Sequence, residues 1–298
     1  MQKHFRKEVR YGILFAMPAI LGFIIFIIGP MIFSLVLSFA NYTGFSRPSF
    51  IGFGNYKDLF ITDIFFKNSL KVTFNYVLLS IPMNIIAAFL IAYMLSQDIW
   101  GRSGFRLVYY VPTVVPLVAT SIVWKWLLDP TFGVVNYFRS LVGLAPSRFL
   151  FDEKTVLISM AVMGIWNIGA LMLIFLAGFQ GVPKQLYEAT EVDGGSGIHK
   201  FFYVTIPMMT PTIFFNLVIG CINGFQVFTQ AYIITGGGPN DRSNFLVLLL
   251  FKEAFQNAKM GKASAIAWLI FIIVLVLTVI NFRVSKNWVY YEDEGNNK

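Results

Sequence analysis

Charge is what this sequence has least of. Asp, Glu, Lys and Arg make up 13% of its 298 residues, against 57% hydrophobic residues; soluble domains carry about 25% charged residues. Cysteine is nearly absent as well. Cys221 is the single copy, which excludes an internal disulfide and any cysteine metal cluster. It reads as a small packing residue. The two histidines, His4 and His199, lie far apart without metal-ligand spacing, and no Ser–His–acid set can be assembled around either. The stretch Gly194-Gly195-Ser196-Gly197-Ile198-His199-Lys200 has a superficial phosphate-loop look. It places His199 where the second glycine belongs and Phe201 where the hydroxyl belongs, so it cannot cradle a nucleotide. No repeat recurs at a fixed period. The net charge of +8 comes from basic residues spread through the loops rather than clustered as nucleic-acid binders need them.

The abundant material is apolar. Mean hydropathy is +0.69 and phenylalanine alone occurs 32 times. A bilayer crossing needs about 20 mostly apolar residues. Six runs qualify, at residues 12–39, 72–95, 107–124, 155–179, 212–234 and 263–282, and none contains Asp, Glu, Lys, Arg or His. The expected architecture is all-α, a polytopic membrane helical bundle of six transmembrane helices. Residues 1–298 then form one transmembrane domain. Lys3, Arg6, Lys7 and Arg10 precede the first run, which is too long for the apolar core of a signal peptide, about 7–15 residues. Basic residues on both flanks of the bundle, with Arg283 and Lys286 after the sixth run, put both termini in the cytoplasm. Summed over all loops, Lys and Arg divide nearly equally, so orientation rests mainly on the first span. The outer segments 44–71 and 125–154 are aromatic and polar, and read as interfacial helices or caps. The end of the chain reads as an aromatic anchor at residues 288–291 and a solvated acidic tail at residues 292–294.

Ion-coupled carriers mark their coupling path with ionisable groups inside the membrane. Their absence from the six runs argues against a secondary (ion-coupled) transporter, although some sodium-coupled carriers manage with carbonyls and neutral side chains. Neutral polar residues do occur, and they are patterned. Asn216, Asn223, Gln226 and Gln230 fall at helical spacing in the fifth run, with Phe225 nearby. Thr73, Tyr76, Ser80 and Asn84 form a similar stripe in the second run, and Trp166 and Asn167 lie in the fourth. Amides offer both donor and acceptor to a sugar hydroxyl, and aromatic faces pack against its C–H surfaces. The same residue types also tie membrane helices together, and both readings stand. Pro18, Pro30, Pro82, Pro112 and Pro116 lie in or beside spans, as rocking points or passive kinks.

Between the fourth and fifth runs lies a polar island, residues 188–211, EATEVDGGSGIHKFFYVTIPMMTP. Connections this long usually have a job or are disordered. Residues 183–192 carry helix formers after Pro183, Asp193-Gly194-Gly195 is a turn signal, and helical spacing resumes at Ile198 before Pro207 and Pro211 start the next span. Two short helices bent at Gly194 are predicted, lying at the membrane face. A plain interfacial anchor is the competing reading.

Glu188-Ala189-Thr190, Asp193-Gly194 and the later Ile206-Pro207 and Pro211 resemble the EAA loop of binding-protein-dependent ABC importer permeases. Thr190 replaces an alanine and Gly195 departs from the usual Asp-Gly-Ala. Downstream, Gly236-Gly237-Gly238-Pro239, Ala254-Phe255 and Met260-Gly261-Lys262-Ala263-Ser264-Ala265 resemble the end of sugar permeases of the maltose-transporter type. The resemblance covers nearly the whole chain. It implies the ABC type I importer fold, a bacterial-type cytoplasmic membrane location and a cytoplasmic coupling loop at residues 183–207. Glu188, Ala189, Thr190, Asp193, Gly194, Ile206 and Pro207 would meet the ATPase there. It also implies a sugar path through the fifth span, where Asn216, Asn223, Gln226 and Gln230 lie with Phe225 nearby; Trp166 and Tyr76 are further candidate wall residues on the polar pattern alone. Implied partners are a second, non-identical permease, two cytoplasmic ATPase subunits that bind ATP and magnesium, and an extracytoplasmic solute-binding protein. The chain itself would be no enzyme and hold no cofactor. A membrane-bound structural or receptor subunit is the third class.

Overall fold

The computed structural model describes residues 2–290, with side chains described from Tyr11 onward. The basic side chains expected to orient the first span, and the acidic tail at residues 292–294, lie outside the described residues.

In chain order the helices are α1 (Gln2–Phe23), α2 (Gly29–Ser38), α3 (Gly54–Lys57), α4 (Ile64–Ser96), α5 (Arg102–Val114), α6 (Leu117–Leu127) and α7 (Val134–Leu141). They continue with α8 (Val156–Ile165), α9 (Gly169–Gln180), α10 (Lys184–Val192), α11 (Gly197–His199), α12 (Ile206–Phe225), α13 (Leu246–Phe251) and α14 (Met260–Ser285). The strands β1 (Ala40–Asn41) and β2 (Ser49–Phe50) pair antiparallel, Ala40 opposite Phe50. Among the described residues, four helical stretches are long and apolar enough to cross a bilayer: Tyr11–Ser38, Ile64–Ser96, Gly197–Phe225 and Met260–Ser285. Two bent pairs, α5 with α6 and α8 with α9, bring the total to six if each pair is one crossing.

Two of the six expected runs are bent. The third, expected at residues 107–124, turns by 101° between α5 and α6. Val115 there is extended, with ψ 131°, because a residue preceding proline is pushed out of the helical region and Pro116 follows it. The fourth, expected at 155–179, bends by 50° between α8 and α9. Across that joint the N–H groups of Trp166, Asn167 and Ile168 reach back only three residues, to Met163, Gly164 and Ile165, the tighter 3₁₀ pattern. The fifth starts earlier and stops sooner than 212–234. It runs unbroken from Gly197 to Phe225, so the short helix expected after Ile198 is the foot of this span and not a separate piece.

Proline is absorbed in a recurring way. A π segment, Ile24–Ile28, precedes Gly29-Pro30, and another, Lys200–Thr205, precedes Ile206-Pro207. The wider π turn gives the proline ring room against the preceding turn, a common remedy for helix distortion. Pro211 cannot donate to the Pro207 carbonyl; the Thr210 hydroxyl does so instead, at 2.6 Å.

The chain divides into two compact units. In the first, Met1–Asp63 with Leu250–Leu269, the start of α14 is clamped. Lys262 Nζ lies 2.8 Å from Asp58 and 2.6 Å from Asp63. The Gly261 N–H donates to the Tyr42 carbonyl at 3.0 Å. A Cβ on Gly261 would stand 2.1 Å from the Ala40 carbonyl oxygen, so no other residue fits there. The second unit, Ile64–Leu249 with Ile270–Lys298, holds two apolar clusters. One gathers Val72, Leu150, Met160 and Phe245; the other gathers Phe89, Ile168, Met172, Phe175 and Met209.

Candidate functional site

Two features of the second unit stand apart: an exposed handle between α9 and α12, and a polar-lined cavity between helices.

The handle is built by local chemistry. Pro183 caps α10, one residue earlier than a first-turn proline would sit. At the other end Gly194 adopts φ +79°, its N–H donates to the Glu191 carbonyl at 3.0 Å, and the Gly195 N–H donates to the Thr190 carbonyl at 2.8 Å. These two bonds form the Schellman closure of a helix. Gly195, a departure from the EAA pattern, is required by it: a Cβ there would lie 2.5 Å from Thr190 Cγ2. The chain then turns back at once. Ser196 caps α11 and accepts the His199 N–H. Lys200 pairs with Glu191 at 3.0 Å, and the Tyr187 and Thr205 hydroxyls meet at 3.1 Å. The two limbs are thus braced against each other across the bend.

Glu188, Ala189, Asp193 and Gly194 are exposed and Thr190 is half-buried, the Thr190 hydroxyl being turned inward to the Leu186 carbonyl at 2.8 Å. Val192 is 88% exposed and Tyr203 75% exposed, with Ile198 and Phe202 also in the open. These apolar side chains form an exposed patch on a braced knob, the kind of surface that often marks an interaction site. Ile206 and Pro207 are half-buried in the opening turn of α12.

The cavity, of about 180 Å³, is lined by Tyr76, Ser80 and Asn84 from α4, Leu171 from α9, and Gly220, Asn223 and Gly224 from α12, with Ile81, Ile85 and Val227. Gly220 and Gly224 let α12 approach Val77 and Ile81 of α4. The Asn84 Oδ1 is shielded from solvent without a hydrogen-bond partner. No Asp, Glu, Lys, Arg or His lines the space.

Of the residues proposed from sequence for a solute path, the cavity collects Tyr76 and Asn223 and leaves the others outside. Phe225 is fully buried and stacks edge-on to Phe74 at 5.0 Å. Trp166 sits at the α8–α9 joint, exposed, edge-on to Trp124 at 6.0 Å. Asn216 is fully buried, with neither amide atom hydrogen-bonded. The stripe expected to run on through Gln226 and Gln230 is cut. α12 ends at Phe225, Gln226 is its cap, and Gln230 precedes a separate π segment, Ala231–Thr235. Gly220 and Gly224 were missed by sequence reasoning; their i, i+4 spacing on the amide face was the available signal.

The Gly236–Pro239 loop is tied down elsewhere in this unit. Ser243 Oγ bonds Thr235 Oγ1 and the Gly238 carbonyl, each at 2.6 Å, and Asn68 donates to the Asp241 carbonyl at 2.9 Å. Glu153 accepts from the Asn240 amide and from Arg242 at 3.2 Å. The Asn240 amide, then Arg242, hold the Glu153 carboxyl below its ordinary value. Among the described residues no group of His, Cys, Asp and Glu could hold a metal ion.

The sequence profile of a family described as "binding-protein-dependent transport system inner membrane component" matches residues 85–287. The probable ABC transporter permease protein YesP of Bacillus subtilis is 39% identical, the match covering 97% of this chain and 94% of that protein. The trehalose/maltose transport system permease protein MalF of Thermococcus litoralis is 27% identical over 94% of this chain and 95% of its own length. Among solved structures, a chain of a bacterial ABC transporter that imports alginate shares the fold. Its TM-score is 0.82 at 24% identity, covering 96% of this chain and 99% of that one.

Proposed function

The chain belongs to the family of binding-protein-dependent transport system inner membrane components, and on that premise we propose that it moves a sugar or oligosaccharide by transmitting motion from its handle to its cavity. It is a membrane-spanning subunit of an ABC importer and not itself an enzyme. In this reading the α10 limb enters a cleft on a cytoplasmic ATPase. Ala189 and Thr190 permit close approach, Glu188 and Asp193 bond at the rim, and Gly194 makes the bend. Two ATPase subunits bind ATP and magnesium. A second, non-identical permease completes the translocation path, an extracytoplasmic solute-binding protein delivers the cargo, and both termini face the cytoplasm.

The observation that carries the proposal is the continuity of one helix. Residues Gly197–Phe225 form an unbroken rod of 29 residues, whose foot is the second limb of the handle and whose upper turns hold Gly220, Asn223 and Gly224 at the cavity. At 1.5 Å per residue such a rod spans roughly 40 Å. A push on the handle therefore arrives at the cavity wall without a joint between, and a rigid element with two positions is what coupling requires. The cargo assignment is supported by relatives named for sugar transport and by a wall of hydroxyls and amides. At about 180 Å³ the cavity is smaller than ordinary small-molecule sites, about 300–1,000 Å³, and supplies one wall of a site shared with the second permease.

Gly194→Val tests the coupling. A β-branched residue is strained at positive φ, so the bend re-forms elsewhere and α10 loses its aim. Uptake by the assembled importer should fall to background while the chain still inserts and ATPase subunits bind weakly or not at all. Wild-type uptake in that variant would remove the handle from the mechanism.

A further inference from the structure

At the handle end of the second unit, two arginines lie one turn apart on the first turns of α5: Arg102 and Arg106. The Nε of Arg102, and the Nε and Nη2 of Arg106, are shielded from solvent and meet no hydrogen-bond acceptor. The nearest carboxylate, Asp98, stands 3.8 Å from Arg102 Nη1, beyond hydrogen-bond range, and its side chain is fully exposed. A guanidinium carries five donors and never gives up its charge, so shielded donors without an acceptor mark a place that an anion completes.

The surroundings say which kind. Just before the pair, Trp100 is 96% exposed. Beside and beyond it Phe105, Leu107, Val108 and Val111 are exposed along α5. A soluble anion gains nothing from that surface, whereas acyl chains do, and tryptophan favours the headgroup level of a bilayer. The position agrees. Tyr93, near the end of α4, packs its ring 4.9 Å from that of Phe201 in the handle, and α5 packs along α9, which leads into the handle. The turn carrying Trp100 therefore lies at the handle's end of the bundle.

We infer that Arg102 and Arg106 form a binding site for the phosphate of an anionic phospholipid, with Trp100 at headgroup level and the apolar residues of α5 against its acyl chains. The two planar forks hold the phosphodiester oxygens, as arginine does wherever bidentate recognition of phosphate is needed. The site needs the membrane assignment of the chain. Only the leaflet, the cytoplasmic one, depends on the coupling role proposed for the handle, and nothing in it depends on the cargo.

The test uses the intact importer, purified in mild detergent, exchanged into phosphatidylglycerol or phosphatidylcholine, and examined by native mass spectrometry for retained lipid. Wild type should keep phosphatidylglycerol through washes that strip phosphatidylcholine. Arg106→Gln should lower retention about fivefold, and R102Q/R106Q further, since each basic residue near an anionic surface contributes about 1 kcal/mol. Arg106→Lys, which keeps charge but not the fork, should fall between. Equal retention by wild type and R102Q/R106Q overturns the site. So does displacement of the lipid from wild type by millimolar inorganic phosphate, which would make the ligand a soluble anion. So does loss of a partner subunit from R102Q/R106Q with lipid retention unchanged, which would assign the arginines to a protein carboxylate. Uptake in R102Q/R106Q separates this site from the coupling role, because a failed handle abolishes uptake with lipid retention intact.

Discussion

Asn216 sits fully buried on α12 with both amide atoms unpartnered. A buried donor or acceptor left without a partner costs about 1–3 kcal/mol. Replacement by an apolar side chain of similar shape removes that cost. Asn216→Leu should therefore hold or raise the melting temperature of the assembled importer, and uptake should fall if the amide serves another state of the cycle. A drop in both would make it an ordinary packing residue. Asn223, exposed at the cavity wall, should behave differently: Asn223→Leu should weaken transport or shift sugar preference while ATPase subunits stay bound. Unchanged transport would leave the cavity a packing defect. Glu153 gives a pH prediction. Its folded value is depressed by Asn240 and Arg242, so its tie to the 240–242 loop is at full strength above the ordinary glutamate value, about 4.3, and is lost as pH falls through the lowered folded value. The protection of amides in residues 236–244, as exchange relative to the intrinsic rate at the same pH, should fall below that range and stay constant there in Glu153→Gln. A wild-type loop equally protected on both sides of the range would remove Glu153 from its support.

At the scale of elements, the handle's stiffness divides between backbone and side chains. The Glu191–Lys200 pair joins the limbs, but Glu191 is 70% exposed, and exposed pairs contribute about 0–1 kcal/mol. The Schellman closure around Gly194 and Gly195 is a matter of backbone conformation, which no surface charge replaces. Glu191→Ala should thus leave uptake within about fivefold of wild type, in contrast to Gly194→Val. A larger loss would move the brace to the salt bridge. How much of this could be read in advance follows from what each signal measures. Two limbs and a bend at Gly194 were legible because glycine after helix formers names its own conformation. The right angle at Val115-Pro116 was not, because hydropathy counts apolar length and is blind to direction. The continuity through Pro207 was hidden too: proline ordinarily starts a helix, and nothing in the letters announces a π turn that accommodates it. The amide stripe failed at Gln226 for the same reason, since periodicity assumes a helix that in fact stops at Phe225.

For the whole molecule the decisive fact is where energy enters. The cavity lining contains no Asp, Glu, Lys, Arg or His, and the Lys and Arg residues in the described part of the crossing helices lie toward their ends: Lys67 and Lys71 in α4, Arg102 and Arg106 in α5, Lys125 in α6, Lys200 near the foot of the Gly197–Phe225 rod, and Lys262 and Arg283 in α14. A carrier driven by protons or sodium would need a group whose charge or coordination changes midway. In the proposed reading motion is delivered from outside the bundle, and the rod from Gly197 to Phe225 is the proposed route from the handle. Uptake reconstituted in vesicles should therefore require the ATPase partner and ATP, and persist when protonophore and sodium ionophore collapse both gradients. A small change on adding ionophores is expected from the membrane potential alone. Uptake that continues without the ATPase and stops with the gradients would return the chain to the ion-coupled class, whatever its family, because the rod would then be moved from within the bundle rather than from its foot.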